Sequence, residues 1–304
     1  MKITEGYAAR FRADRDFFAR VEAQAPGARV FCIPYVPFPE APGPHGMGTY
    51  EHARVYLLSD TLVAGYGAIK FREADEWLRS LAFEPPATRV RRMMASGFDG
   101  VLVDGRGFLT AEAGNRVVRE IRASIPERVA LPQVIHADGR QVYLDLRPYR
   151  EFEQARDPAA FERDARAERE RVWLCWIRGF PSTGPLGYEN NHRWAYRSAA
   201  FQLVNPSDRD QVYELAATFD TDAGGVFHID LSCPTVNLHD SFDIGAVSDE
   251  EPRRPGGQRK VYRMTIPPGR HTVRVNCTPP PKFISGDSRP ICYYLQDVGF
   301  YPVR

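Results

Sequence analysis

The sequence lacks the motifs that identify the best-known site chemistries. Its five cysteines form no CxxC pair and no zinc spacing, and its seven histidines form no HExxH motif. No GxSxG sequence is present, and the glycine groups at 65–67 and 105–107 match neither a dinucleotide-binding nor a P-loop fingerprint. We therefore expect no metal ion and no cofactor. The motifs alone name no reaction.

Long apolar runs and an excess of charge of one sign are also lacking. The longest apolar runs, such as 172–177, are far shorter than a membrane-spanning helix, and residues 1–28 are too charged for a signal peptide. The net charge of +1 draws in neither nucleic acid nor an anionic membrane. We expect a soluble chain that binds no nucleic acid. Whether it is part of a larger membrane protein stays open.

The cysteines leave at least one thiol unpaired, because their number is odd. Cys32 and Cys175 lie in apolar strands and are expected to be packed thiols. Cys233 and Cys277 could pair in an oxidising compartment, but spacing alone does not decide this.

The length of 304 residues predicts two domains. Strands and helices alternate over residues 1–150, which is typical of a parallel α/β domain. The expected strands there are 28–35, 62–68, 101–103 and 142–146, and the expected helices are 4–24, 50–58, 72–82, 87–96 and 112–124.

The character of the chain changes after residue 150. Residues 151–171 are strongly charged and predict a solvated connecting helix. Residues 172–304 contain seven short strands separated by turns rich in Gly, Pro and Asp. That spacing predicts an antiparallel β-sandwich, of the jelly-roll or carbohydrate-binding-module type.

Polar residues follow the predicted strands of the α/β domain where each strand ends. Glu40 follows the first strand, Tyr66 and Arg72 the second, and Asp104 and Arg106 the third. Ligands of parallel α/β sheets bind at this edge. Glu40 and Asp104 could form a catalytic carboxylate pair of the glycosidase type. Alternatively, Asp104 caps the following turn or forms a salt bridge with Arg106.

In the sandwich, residues 188–196 mix aromatic rings with amide, carboxylate and guanidinium groups, as sugar sites do. Glu189, Arg193 and Trp194 are the candidates for ligand binding. The alternative is that Trp194 fills the core of the sandwich while Arg193 pairs with Glu189 or Asp287.

These short motifs together resemble the extracytoplasmic C-terminal region of certain polytopic bacterial membrane proteins, of the GT-C glycosyltransferase or phosphoglycerol-transferase type. The motifs that carry the resemblance are Phe38-Pro39-Glu40, Tyr66-Gly67-Ala68 with Arg72, Gly97 to Asp104, Gly179-Phe180 with Glu189 and Arg193-Trp194, Pro267-Pro268-Gly269, and Asp287 with Arg289. The chain departs from the pattern at 63–65, where a tryptophan-containing run is expected. The membrane-spanning part that would hold the transferase site is also missing from it.

The resemblance implies a periplasmic, glycan-binding accessory module of a membrane glycosyltransferase, not catalytic on its own. Its expected partners are a saccharide or lipid-linked sugar and the membrane-embedded transferase. One alternative is a stand-alone carbohydrate-active enzyme that uses Glu40 and Asp104. A second alternative is a structural spacer without a ligand.

Overall fold

The computed structural model describes residues 2–39, 43–66, 68–69, 72–82, 84–180, 193–221, 226–245, 257–278 and 291–303. The chain divides into two compact units. Unit 1 consists of Met1–Lys70 and Trp77–Arg169, and unit 2 of Phe71–Glu76 and Glu170–Arg304. Among the helices of the described residues, none has the length and apolar character that crossing a membrane requires.

Unit 1 combines helices with one sheet, as its alternating sequence pattern predicts, but the sheet has five strands where four were expected. Its strands are β1 (Arg29–Ile33), β2 (Val63–Ala64), β3 (Gly100–Asp104), β4 (Gln133–Ile135) and β5 (Gln141–Asp145). Its helices are α1 (Lys2–Gln24), α2 (Arg54–Leu58), α3 (Glu73–Ala82, which crosses the unit boundary), α4 (Pro86–Ala95), α5 (Ala111–Ala123), α6 (Arg147–Arg156) and α7 (Pro158–Arg169).

Local chemistry explains where the helix beside the candidate site begins. The side chain of Thr110 accepts a hydrogen bond from the N–H of Ala113 (3.2 Å) and so caps α5. The apolar residues Val117, Val118 and Ile121 recur at helical spacing and pack into the core.

The sheet of unit 1 is mixed, which corrects the expectation of a parallel sheet. Its strand order is β2-β1-β3-β5-β4. β1 runs parallel to β2 and β3, whereas β5 runs antiparallel to both β3 and β4. The reason is a hairpin: β3, α5 and β4 form a crossover, and β5 turns back into the gap between β3 and β4.

Each face of this sheet contributes to its own buried cluster. Val30 and Cys32 of β1 pack with α1 residues such as Phe17 on one face. Phe31 and Ile33 pack on the other face, in the cluster that holds the buried residues of α3, α4 and α5. β1 is therefore apolar on both sides, as a covered strand must be.

The charged segment after residue 146 forms two helices, α6 and α7, rather than one solvated helix. Glu168 of α7 accepts hydrogen bonds from Nε of Arg92 (2.8 Å) and from Nε1 of Trp77 (3.1 Å). These bonds and the buried side chains of Tyr149 and Ala165 attach the two helices to unit 1.

Unit 2 contains two antiparallel sheets. One has the strand order β11-β10-β13-β8-β6 and the other β12-β9-β14-β7. The strands are β6 (Trp173–Arg178), β7 (Arg193–Tyr196), β8 (Ser198–Asn205), β9 (Gln211–Asp220), β10 (Val226–Cys233), β11 (Leu238–Gly245), β12 (Gln258–Ile266), β13 (Gly269–Thr278) and β14 (Ile291–Pro302). The β-rich character predicted for this part of the chain is confirmed.

One buried cluster draws side chains from both sheets of unit 2, for example Phe201 and Leu231 from the first and Phe219 and Tyr293 from the second. All five cysteines of the chain are buried free thiols, so Cys233 and Cys277 are not joined. Cys32 and Cys175 are packed in the interior, as expected.

Candidate functional site

Asp104 and Arg106 form a buried ion pair at the carboxyl end of β3. Nε and Nη2 of Arg106 donate to Oδ1 and Oδ2 of Asp104 (2.8 and 2.5 Å), and the Arg106 N–H also donates to Oδ1 (3.1 Å). Nε2 of Gln141 donates to Oδ2 (3.0 Å). Asp104 thus both caps the turn at 105–107 and holds Arg106, which is the alternative reading of its sequence position.

The electrostatics of this pair keep Asp104 ionised. Burial alone would raise the pKa of the carboxyl, but the hydrogen bonds and charge of Arg106 outweigh it and hold the pKa below its ordinary value. The side chain is also fully buried. A carboxylate in this state neither donates a proton nor reaches a sugar, so the geometry disfavours Asp104 as a general acid or nucleophile.

Further ion pairs continue from Arg106 towards α1. Oε2 of Glu51 lies 3.3 Å from Nη2 of Arg106 and accepts from Nη2 of Arg10 (2.7 Å). Asp14, almost fully buried, accepts from Nε of Arg54 (2.8 Å). Opposite charges alternate through this cluster, which compensates the cost of removing each group from water.

Tyr66 packs against this region with little of its ring accessible. The ring lies beside Phe38 and His52, with centroid distances of 6.0 and 5.9 Å. Nε2 of His52 lies 2.8 Å from the Pro34 carbonyl oxygen, and burial lowers the pKa of His52. Tyr66 is therefore mainly a packing residue.

The remaining predicted site residues lie in unit 2 or outside the described residues. Arg72 is exposed and belongs to unit 2. Glu40 and Glu189 lie outside the described residues, as do Asp287 and Arg289, and of Arg193 only the backbone, in β7, is described. Of the candidates in unit 1, the structure brings Asp104, Arg106 and the Tyr66 region to one end of the sheet.

A cleft of about 500 Å³ opens beside Arg106 within unit 1, and we call it the Asp138 cleft. It lies between the turn at 105–107, the first turns of α5, the β4–β5 hairpin and the loop at 45–46. Its lining residues are His45, Gly46, Val103, Gly105, Arg106, Phe108, Leu109, Ala111, Gly114, Asn115, Val118, Asp138, Gly139, Arg140 and Val142.

Close backbone contacts build the floor of the Asp138 cleft. The N–H of Gly105 donates to the carbonyl of Arg140 (2.6 Å), and the N–H of Gly46 donates to the carbonyl of Arg106 (2.9 Å). A Cβ atom at Gly105 would stand 2.9 Å from the Arg140 oxygen. The glycine at 105 is thus a close-approach residue, and it fixes the hairpin against the end of β3.

Asp138 is held at the wall of the cleft by its neighbours. Its Oδ1 accepts from the N–H of Arg140 (2.8 Å) and lies 2.7 Å from Nδ1 of His136. Burial would raise the pKa of this carboxyl, but these two bonds lower it overall. Its Oδ2 has no partner among the described residues and is available as an acceptor.

Two hydrogen-bond donors, Arg140 and Asn115, line the same cleft as this acceptor. The side chains of Arg140 and Asn115 are exposed and take part in no hydrogen bond or ion pair with another described residue. Phe108 and Leu109 supply apolar surface at the same opening, and Leu109 is 80% exposed. The cleft therefore combines one fixed carboxylate, unused donors and apolar surface.

Asp138, Arg140 and Asn115 were not among the residues predicted from the sequence. A signal for the first two was present: Asp138-Gly139 is a hairpin dipeptide, and Gly139 has a φ of +72° in the structure. Asn115 carried no such signal, because it is one polar position on an amphipathic helix.

In unit 2, Trp194 and Tyr294 form an aromatic pair on the outer face of the four-stranded sheet. They are opposite each other on β7 and β14, with ring centroids 5.0 Å apart. Ala195 and Tyr293, the next residues along, are fully buried in the core cluster. Trp194 is thus partly exposed on the other face and lies outside the core cluster, whereas the expected partners of Arg193 lie outside the described residues.

A carboxylate lies beside this aromatic pair. Asp220 of β9 is the register partner of Tyr294 and accepts a hydrogen bond from its hydroxyl (3.1 Å). The four-stranded sheet thus places an aromatic pair and a carboxylate side by side.

No family model and no curated protein matches this chain. A solved structure of the mosquito-larvicidal Cry4Aa toxin from Bacillus thuringiensis is similar with a TM-score of 0.23 and 12% identity, covering 37% of this chain and 19% of the toxin. TmCBM61 in complex with β-1,4-galactotriose is similar with a TM-score of 0.22 and 10% identity, covering 44% of this chain and 90% of that one.

Proposed function

We propose that this chain binds glycans and that the Asp138 cleft holds a sugar unit. The observation that carries the proposal is the arrangement of Asp138, Arg140 and Asn115 around an apolar wall. A sugar ring presents hydroxyl groups at its edge and C–H groups on its faces. It needs both hydrogen-bonding groups and apolar contact from a protein.

The charged and hydrogen-bonding groups of the Asp138 cleft match the hydroxyl groups of a sugar. Oδ2 of Asp138 accepts hydroxyl hydrogens, and its lowered pKa keeps it an acceptor at neutral pH. Arg140 and Asn115 donate to hydroxyl oxygens. Phe108 and Leu109 cover a C–H face. The volume of about 500 Å³ falls within the usual range for small-ligand sites.

Unit 2 fits the same function as a β-sandwich of the jelly-roll or carbohydrate-binding-module type. Its Trp194–Tyr294 pair would stack on a second sugar unit, with Asp220 accepting a hydroxyl. The support is the partial exposure of Trp194 on an outer sheet face.

We further propose that the chain serves a membrane glycosyltransferase as an extracytoplasmic accessory module, with a saccharide or lipid-linked sugar as ligand. The support is the set of short motifs that resembles such proteins. Asp104 ends one of these motifs, and its partner Arg106 borders the Asp138 cleft.

The test is a thermal-shift screen of the chain against neutral mono- and oligosaccharides, followed by calorimetric titration. A ligand at a hundred times its Kd should add about 2.7 kcal/mol to the free energy of unfolding. Arg140→Ala should weaken binding at least about tenfold, because a hydrogen bond to a charged group contributes about 1.5–3 kcal/mol.

Arg116→Ala is the matched control, since Arg116 lies on α5 with an exposed side chain and does not line the cleft. It should bind as the unchanged chain does. Weaker binding in Trp194→Ala alone would move the site to unit 2. No shift with any saccharide, or equal binding by Arg140→Ala, would contradict the Asp138 cleft as a sugar site.

A further inference from the structure

A serine, a histidine and an aspartate form a hydrogen-bonded chain on the outer face of the five-stranded sheet of unit 2. Nδ1 of His228 lies 2.7 Å from Oδ1 of Asp243, and Nε2 of His228 lies 2.7 Å from Oγ of Ser241. We call these three residues the His228 cluster. It is separate from the sugar site proposed above and does not depend on it.

The two strands hold the His228 cluster in place. β10 and β11 pair over eight consecutive positions, with His228 opposite Asp243 and Asp230 opposite Ser241. The alternate residues Phe227 and Phe242 point into the core and are buried. Side chains on such a paired ribbon are positioned more accurately than side chains on loops.

The numbers of donors and acceptors in the His228 cluster determine which ring nitrogen of His228 carries the proton. A neutral imidazole has one N–H, and an ionised carboxylate can only accept. The proton therefore belongs on Nδ1, where Asp243 accepts it. Nε2 then offers its lone pair to the hydroxyl of Ser241. This is the order in which a histidine removes the proton of a serine nucleophile.

We propose that Ser241 is a nucleophile, activated by His228 and Asp243, that cleaves small carboxylic esters. Oγ of Ser241 attacks the ester carbonyl carbon while Nε2 of His228 takes its proton. The bond from carbon to the alcohol oxygen breaks, and the alcohol leaves with that proton. Water then attacks the acyl carbon while His228 again accepts a proton. The bond from carbon to Oγ breaks, His228 returns the proton to Oγ of Ser241, and the acid is released.

The solvent exposure of the His228 cluster determines both whether an ester can reach it and how fast the reaction runs. The side chains of His228 and Asp243 are 50% and 64% exposed, and Ser241 is exposed too, so an ester can reach Oγ. The same exposure leaves developing charge in water, where protein hydrogen bonds stabilise it weakly. We expect slow turnover, with the acyl-serine as the species to detect.

The test is acetylation of the full chain by p-nitrophenyl acetate, followed by peptide mass spectrometry. We expect an acetyl group on Ser241 in the unchanged chain and none there in His228→Gln. Asp243→Asn should acetylate Ser241 at least about tenfold more slowly, because the amide no longer selects the Nδ1–H tautomer.

Ser232→Ala is the matched control. Ser232 faces the same side of β10 but lies opposite His239, outside the His228 cluster. Ser241 of the Ser232→Ala variant should be acetylated at the unchanged rate, and thermal unfolding should show that all variants are folded. Acetylation found only on other residues, or the same Ser241 labelling rate in Asp243→Asn, would overturn the proposal.

Discussion

Asp104 and Gln141 face each other across β3 and β5, and the amide of Gln141 donates to the Asp104 carboxylate at 3.0 Å. This contact forms because β5 runs antiparallel to β3, which places Gln141 opposite Asp104. Together with the bidentate bond from Arg106, it occupies both carboxylate oxygens. The Asp104–Arg106 pair therefore anchors the turn at 105–107, which forms one wall of the Asp138 cleft.

Removing the charge of Asp104 should destabilise unit 1. Asp104→Asn removes the carboxylate that pairs with buried Arg106, whose other ion pair among the described residues is the longer contact to Glu51, and breaking a buried pair costs about 3–5 kcal/mol. The measurement is the free energy of unfolding from urea titration. Asp16→Asn, at an exposed position of α1, should stay within about 0.5 kcal/mol. An equal effect of both substitutions would refute this role.

The same pair predicts how stability depends on pH. The pKa of Asp104 in the folded chain lies below its ordinary value of 3.8, so its contribution is complete above that value and is lost as the pH falls through the folded pKa. Asp104→Asn should therefore lose less stability than the unchanged chain on acidification from about pH 5 to about pH 2. Parallel stability curves for the two proteins would contradict the ion-pair assignment.

Adding a methyl group at Gly105 should disturb both the fold and the cleft. A Cβ there would stand 2.9 Å from the backbone oxygen of Arg140, and such overpacking costs about 1–3 kcal/mol. Gly6→Ala is the contrast: its Cβ meets nothing within 4 Å in α1, and the helix should gain up to about 1 kcal/mol. Urea titration of both variants checks the sign of each effect.

Two tryptophans of unit 2 should respond differently to truncation. Trp176→Ala removes a ring from the core cluster and should cost about 3–5 kcal/mol. Trp194→Ala removes a partly exposed ring whose pair with Tyr294 is worth about 0.5–1.5 kcal/mol beyond its buried area. If Trp194→Ala destabilised the chain as much as Trp176→Ala, the ring would be a core residue after all.

Much of the local structure could be predicted from the sequence, because it depends on neighbouring residues. The helix predicted at 112–124 is α5, and the strand around Val101–Val103 is β3. The strands β7 and β11 were missed, since β7 has only four residues and β11 contains aspartates such as Asp240 and Asp243, a residue type that is depleted in strands.

The candidate site was predicted only in part. The polar residues at the end of β3 indicated Asp104 and Arg106 as site residues. In the structure these two form an ion pair at the border of the Asp138 cleft. The acceptor Asp138 and the donor Arg140 of that cleft come from a hairpin that the strand pattern did not reveal.

The sequence by itself determined most of the helices and strands and which of their faces are apolar, because periodicity and capping act within a few residues. Only the tertiary structure decided that β5 lies between β3 and β4, that Trp194 faces outward, and that Ser241 meets His228. Those outcomes depend on which distant strand is the neighbour. A strand's own residues specify its two faces but not the residue that will lie opposite each of them.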